Sequence, residues 1–600
     1  MKKKNIGLLL TAVLLCVFSA YSKAEEPTRP TSTPEPTPVP TATPTPEATD
    51  LPEGMEELIL QVEPQEDLTS KMAWTVFDDS GPVTDYRRNP KEWIHMPAGD
   101  KYTRLKIGVL AYRNDAFRHN AAVGTVNDPS GLKMLWEVDT LPSADSTVSR
   151  PGNEWTGQPL ISKWSVEIRE AANMYEEKKA QKALKEVILP GADGLIRFLD
   201  LKDGTQTRNA VDPGAPVIGT SCLAPAGYPY LGVMTEVTEH GSKSFLQYNL
   251  YTQEELTSGN SSDKETGSDA EKERTDLSST TEPIESDPAS EPFDQVVISS
   301  SPVIDRISDT VITAGEDGML YLINLHCTFD YRDKILAIEP SYTAMSSVII
   351  GDQKPAAVQS PLAAYDKYVF YADMAGILRC VDTNTMAPLW MAETGDAVVS
   401  AVALDQRDGD SLDLYTANTL TIRESGDAQI RKYNALNGEE IWRRDFGINK
   451  NTDKDIPSGF IASPVIGENE LNNLVYYTVT GISDEGCRML GIADGTPAAV
   501  AAISKETGRI IWARELENRC VSSPVAVYDQ EGNGWIIQCG ENGTILLLEG
   551  MTGHEVASLS IEGDIVSSPA VYGDIMVIRT TGSTTGTIYG IQIESGANPE

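Results

Sequence analysis

A short seam of a small residue, a proline and apolar residues recurs along most of this chain, and no other feature limits its folding as much. It reads GQPLI at 157–161, GAPVI at 214–218, SSPVI at 300–304 and QSPLA at 359–363. It continues as SAVAL at 400–404, where Ala401 replaces the proline, then ASPVI at 462–466, SSPVA at 522–526 and SSPAV at 567–571. Outside one repeat that carries an acidic stretch, successive seams stand roughly 40 to 60 residues apart. After most of them come an apolar run, a Gly-rich turn and a second apolar run, as in ADGLIRFLDLKDG, EDGMLYLINL, MAGILRCVDT and ENGTILLLEG. Runs so short and so regularly punctuated read as β-strands joined by tight hairpins.

The chain is therefore expected to be all-β, with each seam opening the innermost strand of a four-stranded antiparallel blade. Eight seams predict an eight-bladed β-propeller over residues 105–596, with seven blades as the alternative if one unit is degenerate. One blade cannot bury both of its faces, so neighbours must stack until the ring closes. The last unit, SSPAVYGDIMVIRTTGSTTGTIYGIQIESG, lacks an outermost strand, which GLKMLWEVDT at 131–140 is expected to supply. Residues 53–104 form a lead-in element, with WTVFDDSG and KEWIHMPAGDKY as candidate strands. A polar helix-like insertion falls at about 167–185.

The ends and the charge address location. Lys2, Lys3 and Lys4 precede the apolar GLLLTAVLLCVF, and Ser22-Lys23-Ala24 offers small residues at a cleavage point, so residues 1–24 read as an export signal. Cys16 raises a lipoprotein alternative, but Leu15 stands where a small residue is wanted; an uncleaved anchor is the second reading. The apolar run is too short for a comfortable span, so the mature chain is expected to carry none. Residues 25–52 form a Pro/Thr-rich tether. The segment from Thr252 to Pro292 carries 12 acidic against 3 basic residues and almost nothing apolar, so 253–293 is predicted to be a disordered acidic loop. With a net charge of −39, the chain is a poor partner for nucleic acid. A secreted or cell-surface protein, extracytoplasmic and monomeric, is expected.

Trp136, Trp390, Trp442 and Trp512 recur late in their units, each after a turn: TNTMAPLW, ALNGEEIW and KETGRIIW share one phase, while Ala557 and Arg208 occupy it elsewhere. This pattern resembles the tryptophan-docking repeat of the quinoprotein propellers, Ala-x-Asp-x-x-Thr-Gly-x-x-x-Trp. Ala502, Thr507, Gly508 and Trp512 match it with Ser504 in place of Asp; Asp382 with Trp390, and Asp200 with Gly204, match in part. The resemblance covers about 105–596 and implies a structural role, a large ring buried between sheets. It also implies a test for activity. Quinone dehydrogenases of this type use a funnel Trp, a Ca²⁺ held by carboxylates and amides, an Asp base and, in many, adjacent cysteines. No two cysteines are adjacent here and no CxxCH occurs, so no quinone cofactor is expected. A propeller subunit of the outer-membrane β-barrel assembly machine shares the repeat and acts as a scaffold, though its lipobox is missing here.

Catalytic constellations are thin. His95, His119, His240, His326 and His554 stand singly, without HxH or HExxH spacing, and there is no GxSxG elbow or P-loop. Two acidic turns offer oxygen ligands. LDQRDGDSLDLY places Asp405, Asp408, Asp410 and Asp413 around a glycine, and YDQEGNGWII places Asp529, Glu531 and Asn533 alternately. Such loops can hold Ca²⁺, but Asp and Asn also cap hairpin turns, and that plainer role is favoured. The six scattered cysteines after residue 24 are expected to be free, buried thiols. LAYRNDAFRHNAAVGT at 110–125 is unusual for a blade strand: Tyr112, Arg113, Asn114, Arg118, His119 and Asn120 cluster polar groups, with Arg113, Arg118 and His119 either at the ring mouth or in a structural clasp. The leading expectation is a non-catalytic exported propeller that binds a protein, peptide or glycan as a scaffold at the bacterial cell envelope. A quinone- and Ca²⁺-dependent dehydrogenase is the alternative, and a polysaccharide-active enzyme the second.

Overall fold

A computed structural model describes residues 68–596, apart from 104–106, 141–156, 192, 236–244, 257–296, 350–354, 407–410, 452–456 and 583–585. The export signal, the tether and nearly all of the acidic loop lie outside these residues.

Eight consecutive antiparallel sheets follow one another along the chain, seven of them opened by a seam. Blade 1 holds Leu160–Ser162, Glu186–Pro190 and Ile196–Asp200; a last segment adds to it through the bridges Leu199↔Gln206 and Ile196↔Val211. Blade 2 holds Cys222–Leu223, Tyr230–Met234, Phe245–Asn249 and Glu254–Glu255, and blade 3 Val303–Asp305, Thr310–Ala314, Met319–Asn324 and Ser341–Ile349. Blade 4 follows with Ala363–Tyr365, Tyr368–Ala372, Ile377–Asp382 and Ala387–Glu393, and blade 5 with Ala403–Gln406, Leu412–Ala417, Gly426–Asn434 and Glu440–Ile448. Blade 6 has Val465–Ile466, Leu474–Thr480, Ala498–Ser504 and Ile510–Leu516; blade 7 has Val525–Tyr528, Gly534–Cys539, Thr544–Glu549 and Glu555–Ser560. Middle strands such as Leu474–Thr480 are buried along their whole length, which is why they read as unbroken apolar runs.

Blade 8 closes the ring. Ala570–Tyr572, Ile575–Thr581 and Gly586–Ser595 come from the C-terminal end, and Pro129–Asp139 supplies the outermost strand, in register from Ser595↔Pro129 to Thr587↔Asp139. The expected closing strand thus extends two residues further toward the N-terminus. One seam is displaced from expectation. GAPVI does not open blade 2: Val217 bridges Thr235 at the other end of the second strand, and Thr220-Ser221 precede the inner strand Cys222–Leu223 instead. Gly219, at φ 59°, makes the extra turn between them.

The lead-in element divides in two. Met72–Asp78 and Gly81–Val83 form a hairpin that adds to the outer edge of blade 3, Met72↔Ile349 through Asp78↔Thr343. The KEWIHMPAGDKY stretch forms two short 3₁₀ turns, Pro90–Glu92 and Gly99–Lys101, and Met96 exchanges backbone hydrogen bonds with Asp366 of blade 4. The helix-like insertion of blade 1 folds as Val166–Ala171 and Glu176–Lys179, the first capped by Ser165. Among the described residues no helix is long and apolar enough to cross a membrane. The six cysteines are free, and all but Cys327 are buried.

Candidate functional site

The tryptophans join neighbouring blades. Trp136 of blade 8 donates its indole N–H to Leu201 O of blade 1 at 2.9 Å, and Trp390 of blade 4 to Ala435 O of blade 5 at 2.9 Å. Trp442 of blade 5 donates to Lys505 O of blade 6 at 3.0 Å, and Trp512 of blade 6 to Gly550 O of blade 7 at 2.9 Å. Each acceptor directly follows a third strand, and three residues beyond it a glycine lies under the ring. A Cβ on Gly204, Gly438, Gly508 or Gly553 would stand 2.6 to 2.9 Å from ring carbons of Trp136, Trp390, Trp442 and Trp512 respectively. Gly508 therefore seats the Trp of the preceding blade, not the Trp512 that follows it in sequence. Arg208 occupies the same phase in blade 1 and does the same work with a charge. Its Nη1 donates to Leu250 O of blade 2 at 2.6 Å, while Nε and Nη2 hold the buried Glu186 carboxylate at 2.9 and 2.5 Å.

At the centre, the serines of the seams link the blades in a closed circuit. Gln158 N donates to Thr220 Oγ1, Thr220 N to Ser301 Oγ, Ser300 Oγ to Ser360 O and Ser360 Oγ to Ser400 O. Ala401 N then donates to Ser463 Oγ, Ser463 N to Ser523 Oγ, Ser523 N to Ser568 Oγ, and Ser568 N to Gly157 O, back in blade 1. A small hydroxyl residue before the proline is what lets inner strands approach this closely and still satisfy their buried backbone groups.

The axis within that circuit is threaded by the chain itself. Residues 108–123 run round the inside of the ring, and their carbonyls cap inner-strand edges that would otherwise be unpaired. Leu110 O accepts from Leu223 N of blade 2, Ala116 O from Ala364 N of blade 4, Phe117 O from Leu404 N of blade 5 and His119 O from Ile466 N of blade 6. Asn120 pairs both ways with Ala526 of blade 7, Ala121 O accepts from Val571 N of blade 8, and Gly108–Val109 lies antiparallel on Leu160–Ser162 of blade 1. Tyr102 from the lead-in completes the round by accepting from Ile304 N of blade 3.

Arg113 and Arg118 are wholly buried here, with relative exposures of 0%. Arg113 reaches Pro524 O at 2.6 Å and Pro464 O at 2.8 Å; Arg118 reaches Leu362 O and Tyr112 O at 2.7 Å and Ser301 O at 2.5 Å. Tyr112 OH bonds Ser463 and Ser523. Burial lowers both guanidinium pKa values to about 10, so both stay charged at neutral pH, solvated by carbonyl dipoles instead of water. Arg113 and Arg118 hold φ of 55° and 61°, strained for non-glycine residues and kept there by this bonding. Of the three ring-mouth candidates only His119 keeps some exposure. Asp115 and Tyr102 were not singled out by sequence; four residues of spacing between Asp115 and His119 were the available signal.

The described carboxylates of the acidic turns are engaged by other groups of the protein or stand exposed. Asp405 and Asp413 face each other across the first hairpin of blade 5, but they pair with Lys505 at 2.8 Å and Lys432 at 2.7 Å. Asp408 and Asp410 lie outside the described residues. Asp529 Oδ1 and Oδ2 accept from Asn533 N and Nδ2 at 2.8 and 2.6 Å, closing a hairpin turn, and Glu531 is exposed. Among the described residues no group of three or more His, Cys, Asp or Glu side chains is arranged to hold a metal ion.

Fold and seats together define the class: an eight-bladed β-propeller of PQQ-like repeats. The family model described as outer membrane protein assembly factor BamB matches residues 340–457 and 497–598. Among solved structures, a quinohemoprotein alcohol dehydrogenase from Comamonas testosteroni is similar at 11% identity, covering 82% of each chain with a TM-score of 0.49. Quinohemoprotein alcohol dehydrogenase ADHIIG from Pseudomonas putida HK5 is similar at 10% identity over 83% of this chain and 82% of its own, TM-score 0.49. BamB from Moraxella catarrhalis is similar at 13% identity over 69% of this chain and 93% of its own, TM-score 0.39. No curated protein matches the sequence.

Proposed function

We propose that this propeller is a non-catalytic binding or scaffold module exported to the bacterial cell envelope, where it engages a protein, peptide or glycan through its rim and faces. One observation carries the reading: the axis, where the quinone enzymes of this repeat type would keep a funnel, is threaded by residues 108–123. Two charged guanidiniums already donate there to carbonyls of blades 3, 4, 6 and 7. A planar, anionic quinone and its cation would have to displace that segment and leave the inner strands of seven blades uncapped. The acidic turns offer Ca²⁺ little, since their described carboxylates already serve lysines or a turn. A net charge of −39 disfavours nucleic acid, and the signal-like N-terminus and tether support an extracytoplasmic location.

The deciding experiment is calorimetric titration of the metal-stripped protein with pyrroloquinoline quinone, with and without Ca²⁺. The expected result is no saturable heat from the quinone in either condition. Tight, Ca²⁺-dependent quinone binding would overturn this reading in favour of a dehydrogenase.

A further inference from the structure

His119 stands where four parts of the molecule meet. Its Nδ1 lies 3.6 Å from Asp115 Oδ2 on the same axial segment and 3.7 Å from Glu468 Oε1, in the turn after the first strand of blade 6. Phe117 meets the imidazole edge-on, with ring centroids 5.0 Å apart. From the lead-in, Gly99 comes so close that a Cβ there would stand 2.7 Å from His119 Cε1 and 3.0 Å from Asp115 Oδ2. Asp405 of blade 5, ion-paired with Lys505 of blade 6, completes the charged surroundings. Behind the ring, His119 O holds Ile466 N at 3.1 Å, and Glu468 N donates to Tyr528 OH of blade 7 at 2.8 Å.

We propose that His119 is a pH-responsive latch: protonated, it ties the axial segment and the lead-in to blade 6, and on losing its proton it releases that end of the axis. A proton on Nδ1 lies between carboxylates of two different elements. Once the imidazolium gives up a proton from either nitrogen, a neutral ring faces two anions whose charge it no longer offsets. The side chain is only 14% exposed, so water compensates poorly for the loss.

The sign of the effect follows from the surroundings. Burial alone pulls the His119 pKa down, but the charge and hydrogen bond of Asp115, with help from Glu468 and Asp405, outweigh it and hold the pKa above the ordinary 6.5. A base raised in the folded state contributes its stability in full below its unfolded pKa and loses it as pH climbs through the folded one. The latch is closed in mildly acidic solution and opens as pH climbs through the folded pKa, which lies above 6.5.

Hydrogen exchange of the whole protein between about pH 5 and pH 8, where imidazoles change charge, tests this directly. After correction for the intrinsic base-catalysed rate, protection at Ile466 and across residues 115–121 should fall with rising pH. The fall should approach roughly tenfold per pH unit between the two pKa values. Ala364, held by Ala116 O and not by His119, should change less. His119→Gln should flatten the profile. Glu468→Gln, at a side chain 53% exposed to solvent, should shrink the slope and decides the matter if the histidine variant fails to fold. Profiles parallel to wild type in the variants that fold would overturn the latch.

Discussion

Toward the rim and at the axis, neighbouring blades are joined by opposite means. Near the rim, Trp136, Trp390, Trp442 and Trp512 repeat one device: an indole laid on a glycine turn with its N–H on the next blade's carbonyl. Each seat involves two blades only, and its energy is mostly burial of a large apolar ring. At the axis a single segment serves all eight blades at once, through buried charges and backbone bonds. The difference separates two kinds of stability. A repeated apolar seat is local and can be varied one blade at a time, as Arg208 with Glu186 shows. A single polar spindle couples every blade, so a fault in it has nowhere to stay confined.

The contrast is sharpest for Arg118→Met. The substitution keeps most of the volume but leaves the carbonyls of Leu362, Tyr112 and Ser301 without their donor. At about 1–3 kcal/mol for each buried unpaired acceptor, the loss should be on the order of 4 kcal/mol. Exchange protection should fall in blades 3 and 4 together and along the axial segment. An effect confined to one blade would break the distinction between axis and rim.

Trp442→Ala is the matching test near the rim, expected to cost about 3 kcal/mol in chemical denaturation through lost burial and the cavity left behind. Here the loosening should stop at the boundary of blades 5 and 6. Combined with Trp136→Ala, at the boundary of blades 8 and 1, the costs should add to within about 0.5 kcal/mol, because the two seats share no partner. Strong non-additivity would mean that the rim is coupled after all.

The same contrast explains what could be read in advance. The blades were legible because each repeats a local pattern: seam, apolar run, Gly turn, Trp. Even the borrowed strand at 129–139 could be inferred, since the last unit visibly lacked one. GAPVI misled because the pattern alone does not reveal that Gly219 inserts a turn and hands the seam's role to Thr220. The axis was legible only as an oddity. Tyr112, Arg113, Arg118 and Asn120 bond to residues hundreds of positions away, and a segment used once has no second copy to show what its polar groups face. The partners of the acidic turn in blade 5 were hidden for a related reason: Lys432, which pairs with Asp413, lies on another strand of that blade, and Lys505, which pairs with Asp405, lies in the next blade.

The seam serines lie between the two regimes and give the finest test. The Ser360 hydroxyl carries one link, donating to Ser400 O at 2.7 Å, so Ser360→Ala should cost about 1 kcal/mol. Ser463 lies in an equivalent seam, yet its hydroxyl accepts from Ala401 N and also meets Tyr112 OH of the axial segment. If the circuit and the spindle form one network, Ser463→Ala should cost roughly twice as much as Ser360→Ala and should lower protection around Tyr112. If the two substitutions cost the same, the circuit would be a property of the repeat alone, and the spindle would merely fill the space inside it.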